Sequence, residues 1–407
     1  KGSSENFFWG IRGGIKSHSD YKDGNGDYVP NTRFNEKSFK ANLGVNKSYG
    51  LFRLYYDYNQ PKLGMCVNNA VALTTENGRE NKIWYQDLSN HVISSRNTLF
   101  LGKYKIELNA AYQMNKRKLQ TDTTTPAFEM VDMDLNTFSY EVKTYLPSLR
   151  NSQYVVGVQG ANKTNRNNDA PNHVLPDAWV NDFSVFGLAQ HTFFEKLKTQ
   201  AGIRYDFRYL STEAETNKDA VDKDYGNLSA SIGVTYKVKD IVLLRANIAS
   251  AYRTPNIAEL TQNGMHGARY EQGNPDLKSQ RNYEADISVH YHTKSVMIDI
   301  SGFYNHVNDY IFIAPTNDTI ASGDIIYRYS QTNAKLYGGE LTVDALPLNW
   351  LDMKTSYAYL IGKQDDGSYL PFIPQNKLRF EVKAKKQKLA FLENCFIKVG
   401  GLYAAKQ

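Results

Sequence analysis

Long apolar runs and cysteine are both scarce in this 407-residue chain. No apolar run reaches the ~20 residues of a membrane-crossing helix, which excludes a helical membrane protein. Cys66 and Cys395 are the only cysteines, too few for a disulfide scaffold or a cysteine-based zinc module. The chain opens on Lys1-Gly2-Ser3-Ser4 with no methionine or apolar leader, as a processed or shortened product would. Catalytic motifs are missing too. There is no P-loop, no nucleophile elbow with its Asp and His, and no paired-carboxylate motif, so no enzymatic activity is expected. The net charge of +6 comes without a nucleic-acid motif or a compact basic patch, so no nucleic-acid partner is expected. A hydrophobic share of 41% and a mean hydropathy of −0.55 would describe a water-soluble protein if averages were all that mattered. What is abundant argues otherwise. Twenty-nine Tyr, 19 Phe and 4 Trp are too many aromatics for a solvated coil.

The apolar pattern has period two. In Gln200–Tyr209, Ala201, Ile203, Tyr205, Phe207 and Tyr209 fall on one face and Gln200, Gly202, Arg204, Asp206 and Arg208 on the other. The segments 227–236, 283–292 and 377–384 repeat the split. Side chains alternate across a strand, so each segment is a strand with one apolar and one polar face. About seventeen such strands can be marked, many of ten residues or more, a length that suits a tilted membrane crossing of ~9–11 residues. Tyr236, Tyr291 and Tyr112 lie near strand ends, where rings with a polar tip suit the lipid–water boundary.

The connections fall into two classes that alternate. Short turns are expected around 46–48, 102–103, 147–152, 194–196, 237–240, 293–294, 347–349 and 385–388. Long polar loops are expected around 19–33, 59–90, 120–135, 164–178, 211–225, 252–282, 314–325 and 363–372. Eight of each in strict alternation is the pattern of an outer-membrane β-barrel, with tight turns on one side and long loops on the other. The fold class expected is therefore all-β, an antiparallel transmembrane barrel spanning 1–407. A barrel in lipid has to close, because an open edge leaves backbone groups unpaired in hydrocarbon. Seventeen is odd, whereas bacterial single-chain barrels have even strand numbers, so further strands are expected beyond this chain.

The loop 252–282 carries specific motifs. Ser250-Ala251-Tyr252-Arg253-Thr254-Pro255-Asn256, followed by Ala258-Glu259-Leu260 and then Gly273-Asn274-Pro275-Asp276-Leu277-Lys278, resembles the receptor-domain signature of TonB-dependent outer-membrane transporters. Phe303-Tyr304-Asn305, Tyr337-Gly338-Gly339-Glu340-Leu341 and Leu370-Pro371-Phe372-Ile373-Pro374 continue the resemblance in the same order. It covers essentially the whole chain. The resemblance implies a 22-stranded barrel with a plug folded inside it, an N-terminal plug and terminal strands lying outside this sequence, and uptake driven by the TonB energy-coupling complex. It also implies outer-membrane lipid, lipopolysaccharide, a small-molecule ligand and a surface lipoprotein as candidate partners. Pro255, Pro275 and the loop glycines also read as ordinary loop punctuation, and Arg253, Glu259 and Arg269 as pairs within the loop.

Ligand chemistry centres on histidine. Imidazole is a common ligand for borderline metals, and His18, His91, His173 and His266 are expected in or beside the long loops. Each alone reads first as a polar loop residue. His266 stands out in Gly264-Met265-His266-Gly267, a stretch similar to the ligating-His region of haem receptors and to the Asn-Gly-x-His stretch of zinc-uptake receptors. A single axial His can hold haem iron. Zinc needs three or four ligands, for which Glu271, His173 and His91 are candidates, with Arg269 beside them. The long loops carry a net −11 and the rest of the chain +17, so an acidic mouth would concentrate cations. The expected cargo is a metal ion such as Zn, an iron chelate or haem. The alternatives are a passive porin-like channel, a receptor for cobalamin or an oligosaccharide, and a soluble β-rich binding module.

Overall fold

The fold comes from a computed structural model that describes residues 1–74, 77–121, 129–266 and 269–406. Gly267 and much of the expected 120–135 loop lie outside the described residues. Twenty strands form one sheet among the described residues. Three are short: Gly2–Ser3, Asn263–His266 and Arg269–Gln272. The other seventeen run from Phe7–His18 to Leu392–Ala404, are 12 to 24 residues long, and each pairs antiparallel with the next. The only helices described are two short ones, Asn68–Leu73 and Ile257–Thr261.

The period-two pattern sets the two faces of this wall. On the strand Leu197–Thr212, Ile203 is 58% exposed while Asp206 is 5% exposed. The register carries this arrangement across neighbours: Phe207 lies opposite Phe183, Tyr205 opposite Val185 and Leu228, and all five are exposed apolar side chains. Apolar groups point outward and polar groups inward, the reverse of a protein packed in water. An outward apolar band is stable only against hydrocarbon. No pairing joins Phe7–His18 to Leu392–Ala404 among the described residues, so the sheet stays open rather than closing on itself as a barrel in lipid must.

Sixteen connections join the long strands and keep the expected order, but several boundaries move; the 314–325 loop shrinks to 320–324, because Val296–Thr319 and Ile325–Leu348 run on for 24 residues each. The last turn lies at 390–391, not 385–388, because Lys386 and Lys388 stay in register with Cys395 and Glu393. The 59–90 connection shrinks to 65–84, because Gly50–Gly64 and Tyr85–Leu101 continue past the lipid-facing zone. Once a strand leaves the lipid its outer residues no longer need to be apolar, so the alternation fades while the ladder goes on. In the three-residue turn between Phe193 and Leu197, Phe194 and Glu195 take φ of 49° and 59°, left-handed values that follow the twist of the flanking strands.

Among the described residues, the buried apolar clusters lie toward the long-loop end. Val180, Leu210, Val221, Leu260, Leu277 and Ile311 form one cluster, with Ile257 and Tyr329 against it. Val307, Ala334 and Leu370 form a second. The 19–33 loop is fastened by a buried ion pair, with Arg33 Nη2 2.6 Å from Asp20 Oδ2. Asn31 reinforces it, donating from Nδ2 to the carbonyls of Met65, Ile83 and Trp84. Burial pushes the Asp20 carboxyl up, but the hydrogen bonds and charge of Arg33 outweigh it and hold the group below its ordinary 3.8.

Candidate functional site: the mouth of the barrel

The segment after Val242–Arg253 is folded by its own motif residues. Asn256 caps the helix Ile257–Thr261 by accepting from the Glu259 N–H at 2.9 Å, while the Glu259 carboxylate accepts from the Asn256 N–H at 2.9 Å. That reciprocal box satisfies two N–H groups the short helix leaves free. Arg253 donates to both oxygens of Glu259, at 2.9 and 2.8 Å. Gly273 follows, and a Cβ there would sit 2.8 Å from backbone atoms of Leu260, Thr261 and Gln262, so only glycine lets the two passes of chain meet. Asn274 holds the next turn by accepting from the Asp276 N–H at 2.9 Å, and Leu277 drops into the core. Most of the signature therefore builds a platform and does not face a ligand.

The platform carries a small hairpin of Asn263–His266 and Arg269–Gln272. Its second strand pairs parallel with the long strand Ile325–Leu348, Glu271 lying opposite Tyr327. Glu271 is 2% exposed. It accepts from Arg269 Nε at 2.6 Å and Tyr329 Oη at 3.4 Å, and His266 Nδ1 lies 3.3 Å away. The His266 side chain is 65% exposed. Arg269 also stacks over Tyr327 at 5.4 Å. The hairpin is tied to the neighbouring loop by Asn263 Nδ2, which donates to the Asn217 carbonyl at 2.6 Å.

The structure thus brings His266, Arg269 and Glu271 together and places the other two candidates elsewhere. His173 lies in the 168–177 connection with Nδ1 2.8 Å from Glu215, and Lys218 donates to its carbonyl at 2.6 Å. His91, expected just beside the 59–90 loop, sits inside the strand Tyr85–Leu101. It shares the outward face of Ile93, with its ring tilted against Tyr58 at 4.8 Å and hydrogen-bonded to Tyr56 at 2.8 Å. Among the described residues no three His, Cys, Asp or Glu groups are set to hold a metal ion.

Below the mouth, a cavity of about 700 Å³ opens on the polar face. Arg204 and Ser184 both donate to Asp206, at 2.7 and 2.5 Å, and Arg208 grips Asp182 with two nitrogens at 2.5 and 2.9 Å. Tyr329 and this network were not singled out from sequence. The alternation of Arg204, Asp206 and Arg208 on one strand face was the signal available for the network. Tyr329 gave none, being far from Glu271 along the chain.

The model of the family described as "TonB dependent receptor-like, beta-barrel" matches residues 3–399. The chain belongs to this TonB-dependent receptor family. It is an outer-membrane β-barrel of the Gram-negative type, and its family consists of receptors and transporters. A curated relative, the iron-regulated outer membrane virulence protein of Vibrio cholerae serotype O1, is 24% identical over 159 residues, covering 36% of this chain and 24% of that protein. Among solved structures, a copper transporter named OprC superposes with a TM-score of 0.76 at 17% identity, over 94% of this chain and 61% of that one. The FrpB iron transporter from Neisseria meningitidis gives 0.73 at 15% identity, over 99% and 65%. The chain thus spans less than two thirds of each of these TonB-dependent neighbours.

Proposed function

We propose that this chain is the barrel of a receptor for energy-coupled uptake of a scarce metal in chelated form, as haem or a metal chelate. The observation that carries this reading is the His266–Glu271 dyad. A buried carboxylate already taking Arg269 and Tyr329 lies 3.3 Å from His266 Nδ1, close enough to steady an imidazole whose side chain is otherwise 65% exposed. A carboxylate behind a histidine raises its basicity as a ligand and fixes its ring. One such histidine, with no three-ligand set among the described residues, suits a metal whose other positions are already filled rather than bare Zn. The metal transporters among the structural neighbours support the class of cargo. The acidic loops would concentrate cationic ligands at the mouth.

On this reading a plug and a coupling segment from outside this chain complete the receptor and engage the TonB complex. Lipopolysaccharide and a surface lipoprotein remain candidate partners at the outer face. The chemistry is binding and release, with no catalysis. The test is titration of haem, a ferric chelate and Zn into the full-length receptor in detergent, with and without His266→Ala. The variant should lose roughly tenfold or more in affinity for haem or chelate, the size of a lost metal ligand's support. Unchanged affinity for all three would remove His266 from the site.

A further inference from the structure

The polar face holds a pair of charges that no carboxylate among the described residues answers. The cross-strand row Phe8, Gly44, Arg53, Arg96, Asn109 and Glu141 runs along the inward side of six consecutive strands. Arg53 and Arg96 are direct register partners, which puts their Cα atoms about 4.5–5.5 Å apart. Like charges directly opposite on a sheet repel and destabilise it. Their contacts are aromatic: Arg53 lies over Phe8 at 5.8 Å and Arg96 over Tyr55 at 5.6 Å. The carboxylates nearby are already held by lysines. Asp57 pairs with Lys40 at 2.5 Å, Glu107 with Lys105 at 2.6 Å, and Glu141 with Lys143 at 2.9 Å. Both guanidiniums are exposed on the inward face, close to the short-turn end, since Gly50 opens the strand that carries Arg53.

We propose that Arg53 and Arg96 form an anion clamp on the lumen wall that receives a carboxylate from the polypeptide filling the lumen. This rests on reading the chain as the barrel of a plugged receptor. Two planar forks side by side match the two oxygens of a carboxylate. A segment tethered inside the barrel presents that group at high effective concentration, which a free anion in a wide aqueous lumen lacks. The clamp relieves the like-charge pair and fixes how the occupant sits.

The test uses the full-length receptor in planar bilayers without ligand, so its outcome is independent of His266. Charge reversal, Arg53→Glu with Arg96→Glu, should raise channel opening in urea by roughly tenfold, the size of one lost charge-assisted hydrogen bond. Heat-modifiable migration on a gel verifies that the barrel is folded, and Arg96→Gln serves as a milder variant if the reversal does not fold. A folded variant as closed as the parent overturns the proposal. So does saturable inorganic-phosphate binding that Arg96→Gln abolishes without changing closure, because the pair would then serve a free anion.

Discussion

Ile203 and Leu260 are both large apolar residues, yet Ile203 is 58% exposed on the outer wall and Leu260 is 2% exposed under the loops. The wall turns its apolar residues outward and binds its polar residues into an inner lattice. The mouth does the reverse, folding helix Ile257–Thr261 and Leu277 over a small core as a water-soluble domain would. The difference teaches that one chain obeys two solvents. Hydrophobicity marks the outside where the neighbour is lipid and the inside where it is water.

The strongest way to break this contrast is at Leu260. Leu260→Ala should cost about 2–5 kcal/mol of local stability by leaving a cavity among Val180, Leu210 and Ile311. Hydrogen exchange in the full-length receptor would show faster exchange across 254–279 with the wall unchanged, and equal protection would mean the mouth is not a packed core. Next is Ile203→Arg. Facing lipid, it should cost about 2–4 kcal/mol in reversible unfolding from bilayers. If that face met water, the change would stay within about 0.5 kcal/mol. The smallest effect is that of acid on the 19–33 loop. The folded carboxyl of Asp20 lies below its ordinary value, so the stability it contributes is complete above that value and is lost as pH falls through the lowered one. Exchange of the Arg33 amide, which donates to Asp20 at 2.8 Å, should therefore stay slow from neutral pH down to about 4 and quicken only below it. Quickening already at pH 6 would mean another group controls the loop.

Most of the wall was legible in the sequence because its cause is local. A strand facing lipid on one side must alternate, and Ala201 through Tyr209 does. The seventeen long strands and the alternation of turns and loops follow from that rule. The rule fails where the lipid ends. Lys386 and Lys388 look like a turn and Gln86 to Asn90 look like loop, yet the ladder carries them all, because hydrogen bonds between backbones do not depend on side-chain polarity. The motif residues were legible as a group and their roles were not. Arg253, Asn256 and Glu259 act close together in sequence, so their mutual pairing could be weighed in advance. Glu271 could likewise be set beside His266 in advance, but its contact with Tyr329 could not.

By itself the sequence determined the period, the two faces and the order of the loops, all set by neighbours two residues apart and by which solvent each face meets. Only the tertiary structure decided which polar groups meet. Tyr329 reaches Glu271, and Arg53 faces Arg96, because strand register brings together residues tens of positions apart, and a one-residue slip in register would give each a different neighbour on the other face.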